Sequence, residues 1–154
     1  MSALPGAPVI RKATVRDTAR IISIARAAYA KYIPRMGRDP PPMLADFEAL
    51  ITAGFATVIE SAGNVVGYLI AWPEADAYLI DNLAIDPARQ GEGFGRKLVE
   101  KAIAEARGLN LPALRLYTNV VMTENIALYG HIGFVETHRT VENGLHRMHM
   151  RLTL

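Results

Sequence analysis

Leu83-Ala84-Ile85-Asp86-Pro87-Ala88-Arg89-Gln90-Gly91-Glu92-Gly93-Phe94-Gly95-Arg96-Lys97-Leu98 lies just past the middle of the chain and reads as strand, loop and helix start in succession. An apolar run ends at Ile85, Asp86-Pro87 turns the chain, and three alternating glycines follow. Beyond Phe94 the apolar residues Leu98, Val99, Ala102, Ile103 and Ala106 recur at helical spacing, and Arg107-Gly108 supplies a C-terminal cation and stop. Glycines let backbone approach a ligand with no Cβ in the way. The unpaired N–H groups of a helix start attract an anion. The unit predicts a pocket for a phosphate or pyrophosphate.

The glycine spacing excludes two common nucleotide sites. Leu98 stands where the third glycine of a dinucleotide fingerprint counted from Gly93 would fall, and no Gly-Lys-Ser/Thr closes a P-loop. Gln90-x-x-Gly93-x-Gly95 after Leu83-Ala84-Ile85-Asp86-Pro87 instead resembles the acyl-CoA-binding motif of the GCN5-related N-acetyltransferases. A second stretch, Glu124-Asn125-Ile126-Ala127-Leu128-Tyr129-Gly130-His131-Ile132-Gly133-Phe134, resembles the same family's second signature, in the family's order and separation. Together the two cover roughly Leu79 to Phe134.

Composition is compatible with that resemblance and narrows the alternatives. The 154 residues are enough for one domain, 1–154, with a sizeable core; 51% are hydrophobic and 21% charged. A net charge of +2 with scattered Lys and Arg gives no reason to expect nucleic-acid binding. The absence of cysteine removes disulfides, a thiol nucleophile and thiolate metal sites. Met1–Pro8 lacks the charged start and apolar core of a leader, and no apolar run is long enough to span a membrane. The expected location is cytoplasmic.

Along the chain, Val9–Lys12 reads as a strand and Thr14-x-x-Asp17 as a capping box ahead of a first helix bearing Ile21, Ile22, Ala25, Ala28, Tyr29 and Tyr32. Pro34, Gly37 and Pro40-Pro41-Pro42 predict a loop, and Met43–Thr52 a short helix. Ala56–Glu60 and Val65–Trp72 read as a hairpin, followed by the strand Tyr78–Ile85. Ala113–Thr118 is the next strand, parallel to it because a helix intervenes. Thr123–His131 is a helix, and Phe134–Val141 and Leu145–Leu152 are strands joined at Asn143-Gly144. The expected fold class is α/β, a mixed central sheet flanked by helices, antiparallel at both ends and parallel at its centre. In such sheets ligands bind beyond the carboxyl ends of the parallel strands.

The resemblance implies a role for each matching residue. Acetyl-CoA would be the co-substrate, its pyrophosphate held by backbone N–H groups of Gly91, Glu92, Gly93, Phe94, Gly95 and Arg96, with Gln90 shaping the loop. Leu83, Ala84 and Ile85 would pair with the pantetheine arm, Asn125 would reach the pantetheine or thioester, and Tyr129 would protonate the departing thiolate. Arg89, Arg96 and Lys97 are candidate phosphate neighbours. Many family members carry a Glu where this chain has Leu79. Asp81 shares strand parity with Leu79 and Leu83 and is the candidate base; Glu74 and Asp76 are the weaker candidates.

Chemistry asks for the same parts. A lysine-like amine, pKa about 10.4, must lose a proton before attacking a thioester. The tetrahedral oxyanion needs an N–H donor, and the thiolate needs a proton. Ser2, Ser23 and Ser61 form no nucleophile elbow, so direct transfer in a ternary complex is expected. Tyr29, Tyr32, Arg35 and Arg38 belong to a proline-rich loop suited to lining an acceptor pocket for a carboxylate or phosphate. His146 and His149 are three apart on a predicted strand and face opposite sides, so no metal is assigned. The expected partner is an amine, a small molecule or a peptide. Met148, Met150 and Leu152, alternating on a predicted edge strand, suggest a homodimer. A CoA-binding module without catalysis is the competing reading.

Overall fold

The computed structural model describes residues 7–154; residues 1–6 of the stretch read for a leader lie outside them. The elements are β1 (Val9–Lys12), α1 (Thr18–Tyr29), α2 (Ile33–Met36), α3 (Phe47–Thr52), β2 (Ala56–Ser61), β3 (Asn64–Pro73), β4 (Tyr78–Ile85), α4 (Phe94–Gly108), β5 (Ala113–Asn119), α5 (Thr123–Ile132), β6 (Val135–Glu142) and β7 (Leu145–Thr153). The seven strands run in the order β1-β2-β3-β4-β5-β7-β6. β1 with β2, β2 with β3, β5 with β7 and β7 with β6 are antiparallel, and β4 with β5 is parallel. This is the expected mixed sheet. The chain forms two compact units, one built from residues up to Ile70 with Asn82–Leu98, the other from Ala71–Asp81 with Val99–Leu154.

In the first unit, α1 buries Ile21, Ile24, Ala25, Ala28 and Tyr29; Ile24, which is not on the predicted face, takes the place of Ile22, which is half-buried, and the helix ends at Tyr29, before Tyr32. Phe47 and Ile51 of α3 and Val58, Tyr68 and Ile70 of β2 and β3 are also buried. The Phe47 ring stands edge-on to Tyr68 at 5.5 Å. The Thr14–Asp17 box caps a 3-10 turn, Val15–Asp17, from which α1 continues. Asp17 accepts from the Thr14 N–H at 2.8 Å and from both terminal nitrogens of Arg11 at 2.8 and 3.0 Å. Arg11 also reaches Glu60, 2.9 Å away. That guanidinium holds the Asp17 carboxyl below the usual carboxylate range. The proline loop is more ordered than expected. It contains α2, ended by left-handed Gly37, and a 3-10 turn at Pro41–Leu44. The helix expected at Met43–Thr52 starts only at Phe47, because the Asp46 side chain accepts from the Ala49 N–H at 3.1 Å and caps it there.

In the second unit, the hairpin at Asn143-Gly144 brings β7 back between β5 and β6, so β7 is not the edge strand the sequence suggested; β6 is. Met148 and Met150 are buried at 8% and 4% exposure, in the unit's own core. On their face Thr118 Oγ1 lies 3.4 Å from the Met122 sulfur, and Gly133, just after α5, lies against Leu152. Burial and the proximity of Glu105 in α4 push the Tyr78 hydroxyl pKa upward. Tyr78 pairs with Leu114 on this face. The apolar surface that suggested a dimer is therefore already used.

Candidate active site

The glycine loop lies in the first unit. After β4, Asp86 accepts from the Ala88 N–H at 3.0 Å and from Arg20 at 2.7 Å, which fixes the turn and holds its pKa low. Gly91 and Gly93 have φ of 84° and 85°, a left-handed backbone that side chains disfavour. A Cβ on either would meet nothing within 4 Å, so the space in front of the loop is open. The Lys97 N–H bonds the Gly93 carbonyl at 3.1 Å, making Gly93 the cap of α4. The N–H groups of Phe94, Gly95 and Arg96 form the first turn and have no acceptor within the helix. These features fit a pyrophosphate approached by backbone. Gln90 Nε2 donates to the Ile85 carbonyl at 3.2 Å, tying the loop to the strand. Glu92 points back to Arg89 at 2.7 Å, and Arg89 also donates to Ser61 Oγ at 3.0 Å and lies over the Phe94 ring. Arg89 is thus a brace of the loop, and Glu92 has only its backbone to offer a ligand.

The sequence reading missed the centre of this unit. Asn82, 3% exposed, accepts at Oδ1 from the hydroxyls of Tyr29 and Tyr68, each at 2.9 Å, and donates from Nδ2 to the Pro42 carbonyl at 2.9 Å. Tyr29 O–H also lies 3.3 Å from the Leu83 carbonyl. Tyr29 therefore supports β4. Tyr32 is buried too, with Lys31 and Arg35 over its ring at 5.2 and 5.3 Å, whereas Arg35 and Arg38 themselves are exposed. The signal available was an Asn inside an apolar strand, a residue that must find partners once buried. On the β3 side the Asp86 N–H donates to the Val66 carbonyl. Strand alternation turns the Leu83 and Ile85 amides the other way.

Asp81 lies in the second unit, half-buried, and burial raises its pKa. Leu79 pairs with Arg115, so Asp81 and Tyr117, each two residues further on, share that face of the sheet. Arg115 makes a two-pronged pair with Glu74 at 2.5 and 2.8 Å, which engages one of the weaker base candidates. Across β5 and β7, Tyr117 pairs with His149, and His149 stacks on His138 with centroids 4.1 Å apart. Desolvation, then His138, pushes His149 below the ordinary histidine value. His146 pairs with Val141 on the opposite face, so the two histidines of β7 are divided as predicted. Tyr129 of α5 is 5% exposed, its ring tilted against Phe134 at 5.6 Å. Asn125, one turn earlier and half-buried, has Nδ2 3.9 Å from the Met122 sulfur. Among the described residues no group of three or more His, Asp or Glu is placed to hold a metal, and no helix is long and apolar enough to cross a membrane.

Comparison with known proteins agrees with this geometry. The model of the acetyltransferase (GNAT) family matches residues 20–134. A protein of Escherichia coli (strain K12) named "Uncharacterized N-acetyltransferase YjgM" is 30% identical over 141 residues, spanning 84% of this chain and 83% of its own. A mycothiol acetyltransferase of Jonesia denitrificans is 33% identical over 87 residues, 55% of this chain but 28% of that protein. Among solved structures, PaiA N-acetyltransferase from Thermoplasma acidophilum in complex with coenzyme A superposes with a TM-score of 0.79 at 14% identity, covering 95% of this chain and 99% of that one. At that identity the likeness speaks for the fold. The family match and the E. coli relative decide the matter: the chain belongs to the acetyltransferase (GNAT) family.

Proposed function

We propose that the protein transfers the acetyl group of acetyl-CoA to an amine by direct attack in a ternary complex. The observation that carries this reading is the left-handed Gly91–Gly93 loop, open in front and capping a 15-residue helix directly after β4. In this reading the N–H groups from Gly91 to Arg96 bind the pyrophosphate. The Leu83 to Ile85 backbone holds the pantetheine, and a Leu83 or Ile85 N–H receives the oxyanion. Asn125 orients the thioester end. Asp81 takes the amine proton, directly or through water, and Tyr129 returns one to the thiolate. The amine nitrogen bonds to the acetyl carbon as the carbon–sulfur bond breaks, leaving an amide and free CoA.

On the acceptor side, Arg35 and Arg38 are exposed cations of the first half of the chain, beside the buried Tyr29 and Tyr32. The rest of the reading places the enzyme in the cytoplasm. A homodimer would use the edge strand β6. The test is free-thiol release from acetyl-CoA over a panel of amines, beside acetyl-CoA-induced thermal stabilisation. Stabilisation without thiol release on any amine would make the protein a CoA-binding module, and neither response would remove the loop assignment as well.

A further inference from the structure

The face of the second unit's sheet opposite buried Tyr78, Leu114, Met148 and Met150 carries half-exposed polar and charged side chains. Strand register lays it out as a grid. Leu79, Arg115, Arg151 and Val135 form one row across β4, β5, β7 and β6. Tyr117, His149 and His138 form the next, and Asn119, Arg147 and Thr140 the third; Asp81, two residues past Leu79 on β4, is on the same face by strand alternation. Apart from buried Leu79 these residues are half-buried or exposed.

Most charges on this face are already matched. Arg115 is held by Glu74, and Arg147 is paired with Glu142 and stacked over Tyr117 at 4.6 Å. Two are not. Among the described residues the Asp81 carboxylate has no hydrogen-bond or ion-pair partner, and neither does the Arg151 guanidinium. They are one negative and one positive group on the same side of one sheet. Arg151 is two strand spacings from Leu79, and Asp81 is two residues further along β4, which on a regular sheet corresponds to about 12 Å between Cα atoms. An arginine side chain is long enough to bring the two charges to about 6–10 Å of each other. Arg151 also lies directly beside Arg115, so the row with a single Glu74 keeps an excess positive charge.

We propose that the acceptor is an amine that also carries a carboxylate: the amine is addressed to Asp81 and the carboxylate to Arg151, with the body of the molecule lying over Tyr117 and His149. A free amine alone would leave the Arg151 charge unmatched, and a polyamine would be repelled by it. Short peptides or amino acids with 6–10 Å between amine and carboxylate complement both groups, and the planar guanidinium suits a two-pronged carboxylate contact. The inference rests on the acetyl-transfer reading above and adds the acceptor class.

The experiment compares glycine di- and tripeptides bearing a free C-terminal carboxylate with their C-terminal amides, following thiol release from acetyl-CoA. The free acids are expected to have a kcat/KM about 10-fold higher, mostly through KM, as befits one partly exposed charge-assisted contact. Arg151→Gln should bring the acid-to-amide ratio close to one, Arg151→Lys should restore part of it, and acetyl-CoA stabilisation should be unchanged in both. Asp81→Asn should lower both rates and keep the ratio. A ratio near one in the wild type, or a wild-type ratio in Arg151→Gln, overturns the assignment. If these peptides are not acetylated while other amines are, the acceptor class is wrong and acetyl transfer stands; if no amine is acetylated, both readings fall.

Discussion

Replacing Asn82 by leucine tests the hydrogen-bonded centre on which β4 rests. The side chain is 3% exposed and makes three bonds of 2.9 Å, to Tyr29, Tyr68 and the Pro42 carbonyl. Leucine is close in volume, so no cavity opens, but all three bonds are lost. At about 1 kcal/mol net per bond the loss is about 3 kcal/mol. The added apolar burial offsets about 1 kcal/mol, while desolvated partners add about 1–3 kcal/mol to the cost. The expected destabilisation is about 3–5 kcal/mol, equivalent to a fall in Tm of roughly 6–20 °C for a chain of this size. Calorimetry or urea unfolding of the wild type and Asn82→Leu reads it directly. Asn82→Asp is the companion variant. It still accepts from both tyrosines but can no longer donate to Pro42, and it faces that carbonyl with a second oxygen. A Tm for Asn82→Leu within 2 °C of wild type would refute the idea that this network supports the strand.

Gly93→Val should abolish acetyl-CoA stabilisation and cost about 1–3 kcal/mol of fold stability, since its φ of 85° is a backbone state valine resists; ligand-dependent thermal shifts check it. Tyr129→Phe should lower kcat far more than acetyl-CoA affinity, as measured by steady-state kinetics beside equilibrium binding. Because burial raises the Asp81 pKa, its ionisation costs stability. That contribution is whole below the unfolded value, about 3.9, and is lost as pH rises through the folded one. Asp81→Asn should therefore raise Tm at pH 7 while lowering turnover, with the turnover deficit shrinking at high pH; Tm and rate profiles against pH test both. Asp17 behaves oppositely, its lowered pKa giving stability that is present above about 3.9 and fades as pH falls through the folded value, so Arg11→Ala should flatten the acid side of the Tm–pH curve.

The local units were legible because each depends on a short-range pattern. β1, the strand Tyr78–Ile85 and the helix Phe94–Gly108 stand where alternation, turn residues and helical periodicity put them. The acyl-CoA loop was readable for a similar reason: left-handed glycines and a helix cap are properties of consecutive residues, so Gln90 to Arg96 carry their meaning in the sequence itself. Local boundaries failed where capping competed with periodicity, as when Asp46 started a helix several residues after the proline turn.

What only tertiary structure decided is which distant residues share a face or a hydrogen bond. No spacing links Asn82 to Tyr29, Tyr68 and Pro42, because the partners come from α1, β3 and a turn. In the sequence Tyr29 reads as part of an acceptor loop, whereas in the fold its hydroxyl supports β4. The sequence likewise made Met148 and Met150 look like a free apolar stripe, while strand order put β7 between two neighbours and turned that stripe into core. Asp81 and Arg151 are 70 positions apart in the sequence. They share a face because parity along each strand is local, whereas the register that lines one strand up with the next depends on the packing of the whole sheet.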